Sequence, residues 1–240
     1  MRAVQMMQPG SPETLKMTEL EIPVCGDGEV LVRIMAAGVN PIDTKLRSRG
    51  LYFPEGLPAI LGCDGAGIIE KVGHGVSHFA PGDTVYYCYG GLGQKSGNYA
   101  EYNVVPESYL AHKPAGLDFA VAAAAPLVLI TAWEALFDRA DMRSGQKIFI
   151  HAGAGGVGHV AIQLAKVAGC EVATSVSSDE KAAFVRELGA DLVINYKRQD
   201  ITAALLDWTE GAGVDIAFDT VGGAAFDQLI PAIRVYGDLV

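Results

Sequence analysis

The sequence predicts an α/β protein in two parts: an antiparallel β-barrel or sandwich, then a doubly wound parallel sheet. Three observations carry that expectation. Short strand-like runs separated by Gly/Pro turn clusters fill the first 117 residues. From residue 118 onward, strand and helix patterns alternate. A G-x-G-x-x-G loop, with Gly153, Gly155 and Gly158, joins the first strand of that alternation to its first helix. The expected domains are therefore 1–117 and 118–240.

In the first part, segments 2–7, 29–36, 67–72, 84–89 and 99–105 are rich in β-branched and aromatic side chains. Cys25-Gly26-Asp27-Gly28, Gly73-His74-Gly75 and Pro81-Gly82-Asp83 supply turns between them. Their irregular spacing favours antiparallel pairing. In the second part, segments 119–126 and 131–139 read as helices. Strand 147–152, helix 157–168, strand 171–176, helix 179–188 and strand 192–195 follow. Helix 201–209, strand 214–219 and helix 224–235 come next, with a strand opening at Asp238. Gly169 and Gly189 each follow an apolar-periodic run, at the position just past a helix where glycine takes a left-handed conformation without strain. Ile148-Phe149-Ile150 and Ile216-Ala217-Phe218 are unbroken apolar strands, as in a parallel sheet covered on both faces. The fifth strand is expected to be cut at Val240, so the sequence reads as a fragment of a longer protein.

Half of the 240 residues are apolar, enough for a core without disulfide or metal staples. Lys plus Arg number 18 against 28 Asp plus Glu, a net charge of −10. Such a surface repels phosphate backbones and anionic lipid, which argues against nucleic-acid and membrane partners. No apolar run approaches the ~18 residues of a membrane span. Cys25, Cys63, Cys88 and Cys170 stand far apart with no C-x-x-C pair, which predicts reduced thiols and a cytoplasmic location. The 29 glycines are many for a well-mixed chain and point to tight turns and to backbone approached closely by another group.

The glycine loop says what that group is. Gly153 suits the tight turn, Gly155 the approach of a pyrophosphate, and Gly158 close helix–strand contact. The helix that starts there, with Gly156 and Val157 in its first turn, offers free N–H groups to phosphate oxygens. An NAD-binding site places Asp or Glu at the tip of the second strand; here that position is Val176, in Thr174-Ser175-Val176-Ser177-Ser178, with Lys181 one turn on. No carboxylate repels a 2′-phosphate, and hydroxyls and an ammonium are at hand to bind one. NADPH is the expected cofactor.

Motifs distributed along the whole chain resemble the medium-chain dehydrogenase/reductase family, in its zinc-independent quinone oxidoreductase-like branch. They are Ala37-Gly38-Val39-Asn40-Pro41-Ile42-Asp43, Leu61-Gly62-Cys63-Asp64-Gly65-Ala66-Gly67, Gly82-Asp83-Thr84-Val85, Tyr99-Ala100-Glu101-Tyr102 and Thr131-Ala132-Trp133. The glycine loop, Leu188-Gly189-Ala190-Asp191 and Asp219-Thr220-Val221-Gly222-Gly223 continue the series. The resemblance implies a GroES-like β-barrel at 1–117 and a Rossmann NADPH-binding domain at 118–240, the latter incomplete, with cofactor and substrate between them. It also implies a homodimer for a full-length form. It assigns Asn40 and Tyr52 to the substrate pocket, with Asp43 close by, and Thr131 to the nicotinamide. Gly155, Gly156 and Val157 would take the pyrophosphate; Ser177, Lys181 and Tyr196 the 2′-phosphate; Val221 the nicotinamide side.

In zinc-dependent members a Cys, a His and a second Cys hold the catalytic metal. The corresponding positions here are Asn40, Cys63 and Leu127, a set that cannot hold zinc, and no structural-zinc lobe is present at 86–98. No metal is expected. Without a Lewis acid, substrates that accept hydride readily are favoured: quinones and α,β-unsaturated carbonyls. The alternatives are an alcohol dehydrogenase-like oxidoreductase of the zinc type, and a non-catalytic NADPH-binding protein of crystallin-like or redox-sensing use.

Overall fold

The computed structural model describes residues 1–240, the side chain at 224 excepted. The chain divides into two compact units, 1–127 and 128–240.

The first unit contains β1 (Arg2–Met6), β2 (Leu15–Glu19), β3 (Glu29–Ala37), α1 (Pro41–Arg49), β4 (Ala59–Ile60) and β5 (Asp64–Val72). It continues with β6 (Thr84–Cys88), β7 (Tyr102–Pro106), β8 (Leu110–His112) and α2 (Phe119–Ala124). Its strands form two sheets, ordered β2-β1-β4 and β7-β3-β5-β6-β8. Every pairing in them is antiparallel. Alternate residues point inward: Val30 and Val32 of β3 meet Ile69, Val85, Tyr87 and Val105 in one core. Met6, Leu46, Leu51 and Leu61 form a second. Helix α2 lies close against the sheet because the contact is made of small residues, Ala66 with Ala122 and Ala123. That contact holds α2 in the first unit, which ends at Leu127, ten residues beyond the boundary expected at 117.

Helix α1 is absent from the sequence expectation. Only Asp43 and Leu46 are buried along it, so it shows no apolar period. Its signals are at its ends: Asn40 precedes it, Pro41 opens it, and the Asp43 carboxylate accepts the Asn40 N–H at 2.8 Å.

At the junction lies α3 (Pro126–Trp133), followed by a π-helical turn over Glu134–Arg139. The second unit then alternates: β9 (Lys147–Ile150), α4 (Gly156–Val167), β10 (Glu171–Val176), α5 (Asp179–Glu187) and β11 (Leu192–Asn195). α6 (Ile201–Trp208), β12 (Val214–Phe218), α7 (Ala224–Leu229) and β13 (Ile233–Leu239) complete it. The strands form one parallel sheet ordered β11-β10-β9-β12-β13. Its two faces carry separate cores, one with Ile148, Ile150, Ile162 and Val185, the other with Phe149, Ile194, Leu205 and Leu229. The order reverses between β9 and β12, the crevice where ligands bind in such sheets.

One expectation here is corrected. The helix expected over 224–235 ends at Leu229, a 3₁₀ turn covers Ile230–Ala232, and β13 follows, pairing with β12 at Ile233, Asp238 and Leu239 across an irregularity. Pro231 cannot continue a helix, and the Ile233–Leu239 segment is rich in strand formers. The fifth strand is thus present from Ile233, rather than opening at Asp238.

Candidate functional site

The second unit presents a phosphate cradle at the end of β9. Backbone donors dominate it, since the first-turn N–H groups of a helix have no intrahelical acceptor. Helices α2, α5 and α6 satisfy such a donor with a capping side chain: Asp118, Ser178 and Asp200, respectively. Helix α4 does not, because its cap is Gly155. The Gly156, Val157 and Gly158 amides are left for a ligand. Two glycines are required by crowding. A Cβ at Gly158 would lie 2.4 Å from the Ala152 carbonyl oxygen, and one at Gly153 would lie 2.0 Å from Thr174 Oγ1. Immediately before them Ala152 adopts φ +53°, a conformation a non-glycine residue holds only when its surroundings impose it.

A cavity of about 130 Å³ follows, lined by Ala152, Ala154, Gly155, Ser175, Val176, Ser177, Lys181 and Tyr196. The structure therefore brings Gly155, Ser177, Lys181 and Tyr196 together. Val176 at the strand tip is buried, and no carboxylate lines this cavity. Among the described residues Lys181 forms no ion pair; the neighbouring Asp179 is taken by Arg198 at 3.2 Å. An unneutralised ammonium beside serine and tyrosine hydroxyls fits a dianionic 2′-phosphate.

A second cavity, about 550 Å³, shares Ala152 and Tyr196 with the first. His151, Gln199, Asp200, Ile201, Val221, Ala225 and Gln228 complete its wall. Val221 thus stands beside Tyr196 here. Beneath them lies a pair not expected from the sequence: His151 Nδ1 is 2.9 Å from Asp219 Oδ1, and both side chains are nearly inaccessible. Burial pushes the Asp219 carboxyl up. The Val221 and Gly222 N–H donors and His151 outweigh it, leaving the group below the usual carboxylate range.

The first unit holds the other candidate residues. Asp64 is fully buried; its Oδ2 accepts Asn40 Nδ2 and its Oδ1 accepts the Leu127 N–H, each at 2.9 Å. Cys88 stands opposite it in the pairing of β5 with β6. Burial raises the Asp64 pKa above the ordinary value despite these donors. Asp43 is equally enclosed: Oδ2 accepts Tyr99 OH at 2.9 Å and Oδ1 accepts the Gly62 N–H at 3.2 Å. Alongside lies a cavity of about 340 Å³ walled by Ile42, Phe53, Cys63, Cys88, Leu92 and Leu127, among others. Burial, with Asp43 and Asp64 nearby, pushes the Cys63 thiol up to about 12. Burial, with Asp64 and Cys63 nearby, does the same to Cys88. Both thiols are protonated at neutral pH.

These contacts bear on zinc. Asn40 spends an amide hydrogen on Asp64 and Leu127 has no ligating atom in its side chain, which leaves Cys63 as a single soft ligand. The set does not fit the metal, and one carboxylate, Asp64, ties together the two positions flanking it. Asn40 is thereby placed in a defined network. Tyr52 is not: it is 66% exposed, and its neighbour Phe53 faces the cavity instead. Thr131 is exposed on α3 in the second unit.

The missed residues, His151 with Asp219 and Asp64 with Cys88, carry one sequence signal. Each pair ends or opens adjacent strands, β9 with β12 and β5 with β6.

Comparison with known proteins agrees with this arrangement. Residues 26–115 match the alcohol dehydrogenase GroES-like domain family, and residues 156–240 match the zinc-binding dehydrogenase family. A quinone oxidoreductase from Pseudomonas aeruginosa is 38% identical over 239 residues, covering all of this chain and 72% of that protein. The NADPH-dependent alkenal/one oxidoreductase of Arabidopsis thaliana is 36% identical, over 96% of this chain and 59% of its own length. The crystal structure of Escherichia coli quinone oxidoreductase complexed with NADPH superposes with a TM-score of 0.88 at 33% identity, covering all of this chain and 72% of that one. The chain belongs to the medium-chain dehydrogenase/reductase family, in its quinone oxidoreductase branch.

Proposed function

We propose that this oxidoreductase uses NADPH to reduce a quinone or an α,β-unsaturated carbonyl, with no zinc. The observation that carries the reading is the pairing of an uncapped glycine-loop helix with an unneutralised Lys181 in one cradle. NADPH, when bound, supplies a hydride. Ser177, Lys181 and Tyr196 hold its 2′-phosphate, and the amides of Gly156, Val157 and Gly158, with Gly153 and Gly155 in the turn, receive the pyrophosphate. Val221, which the resemblance gives to the nicotinamide side, shares a cavity wall with Tyr196 and is read instead as bordering the adenosine half; Thr131 remains a candidate for the nicotinamide side.

Substrate chemistry follows from the first unit. The cavity beside Cys63, Cys88 and Leu127 has mainly apolar walls suited to a flat, weakly polar molecule. An Asn amide has two hydrogens. One of those on Asn40 goes to Asp64, which orients the second toward an oxygen that gains charge as hydride arrives. A solvent proton completes the reduction. Tyr52, on the surface, is a candidate only for the outer edge of substrate binding. The free thiols support a reducing, cytoplasmic setting. No helix is long and apolar enough to cross a membrane.

The test is NADPH consumption by the purified chain across a panel of quinones and enones, before and after dialysis against a chelator. Turnover that survives chelation is expected. Turnover that is lost on chelation and restored by zinc returns the alcohol dehydrogenase-like alternative; tight NADPH binding with no turnover on any panel member returns the non-catalytic one.

A further inference from the structure

The geometry points to His151 and Asp219 as a positioning pair that sets the affinity of the nucleotide cavity for the adenosine half of the cofactor. This rests on the NADPH reading above. The two residues stand at corresponding places on neighbouring parallel strands, immediately after the paired Ile150 and Phe218. They lie at the point where the sheet order reverses, with the His151 N–H bonded to the Phe218 carbonyl at 2.9 Å. Their side chains join there at 2.9 Å. A carboxylate has only acceptors, so the His151 Nδ1 carries the hydrogen.

Asp219 then directs the turn that follows it. Oδ1 also accepts the Val221 N–H at 2.9 Å, and Oδ2 accepts the Gly222 N–H at 3.1 Å. Thr220 Oγ1 returns to the His151 carbonyl at 3.3 Å. One buried carboxylate therefore fixes three consecutive features: the imidazole on the cavity wall, the turn at Val221, and the chain direction into α7. Val221 and His151 both line the 550 Å³ cavity, which shares Ala152 and Tyr196 as wall residues with the cradle around Lys181. Because the 2′-phosphate belongs to the adenosine half, a cavity reached past Lys181 and Tyr196 receives the adenine ring. The pair touches no reacting atom; it acts through the turn.

The test measures dissociation constants of NADPH and of adenosine 2′,5′-bisphosphate by titration calorimetry on the whole chain and on three variants. In His151→Phe both ligands are expected to weaken by about tenfold, and by the same factor, with the loss appearing in the NADPH KM more than in kcat. His151→Asn, whose amide can place an N–H where Nδ1 stood, should recover to within about threefold of the parent. Asp219→Asn should weaken both ligands at least as much as His151→Asn, and this comparison decides the matter if the phenylalanine variant does not fold. Unchanged affinities, His151→Asn no better than His151→Phe, or a loss confined to NADPH with the bisphosphate unaffected would each overturn the assignment. A parent chain that binds neither ligand fails the NADPH reading itself, before any variant is compared.

Discussion

The two units dispose of their buried polar groups in opposite ways. In the first, Asp43 and Asp64 are enclosed and every oxygen has a partner: Asn40, Tyr99, Gly62 and Leu127 all donate to them. In the second, the helix that matters most for binding is left without a capping side chain, and a lysine beside it lacks an ion-pair partner among the described residues. A closed network rigidifies a wall and resists a metal; an open set of donors awaits an anion. The contrast explains how a chain of a family described as zinc-binding keeps a dinucleotide cradle while its metal positions are occupied by other bonds.

The largest expected effect is at the open site. Gly158→Ala drives a Cβ into the Ala152 carbonyl and should destabilise the fold by about 1–3 kcal/mol while removing measurable NADPH binding. Gly156→Ala, two residues earlier, meets nothing nearer than Val128 Cγ1 at 3.6 Å and should change stability by less than about 0.5 kcal/mol. Denaturant titration separates the two. If both variants behave alike, close helix–strand contact is not what the loop requires.

Next comes the cation. Lys181→Gln removes a charge-assisted contact worth about 1.5–3 kcal/mol, so NADPH should bind about ten- to a hundredfold more weakly. NADH binding should change little, since it has no 2′-phosphate. Equal losses for both cofactors would place Lys181 elsewhere than at that phosphate.

The closed site should respond in stability instead. Asn40→Ala leaves the buried Asp64 carboxylate short of a donor and should cost about 1–3 kcal/mol, with a raised KM for quinone and an NADPH affinity close to that of the parent. A thermal melt with and without saturating NADPH reads both consequences. A variant as stable as the parent would mean that Asp64 does not depend on the Asn40 amide and that the network around it is open.

The smallest effect is with pH. The Asp219 value is depressed in the folded chain, so its stabilisation is complete above the unfolded carboxylate value of about 3.9 and declines as pH falls through the folded value. Asp219→Asn should lower stability at neutral pH and remove that decline from acid unfolding curves, leaving a flatter profile. A decline equally steep in the variant would assign it to other carboxylates.

Much of the second unit was legible in the sequence because its signals are local. The loop glycines, the helix-ending Gly169 and Gly189, and the absence of an acid at Val176 can be read within a few residues of each other. What escaped is set by distance or by composition. His151 and Asp219 are separated by 68 positions, Asp64 and Leu127 by 63, and no local pattern announces either contact. Helix α1 lacks an apolar stripe. Strand β13 was hidden behind a helix-like run that Pro231 ends, and its pairing with β12 supplies the hydrogen bonds that local propensity does not. Tyr52 shows the converse: a residue given a role by resemblance, yet turned to solvent while Phe53 faces the cavity.

The central claim is that the second unit is built for a nucleotide carrying a 2′-phosphate. Calorimetric titration of the chain with NADPH and with NADH tests it most directly. One NADPH per chain, bound at least about tenfold more tightly than NADH, is the result the Lys181 cradle predicts. NADH binding as tightly as NADPH, or more tightly, would contradict it.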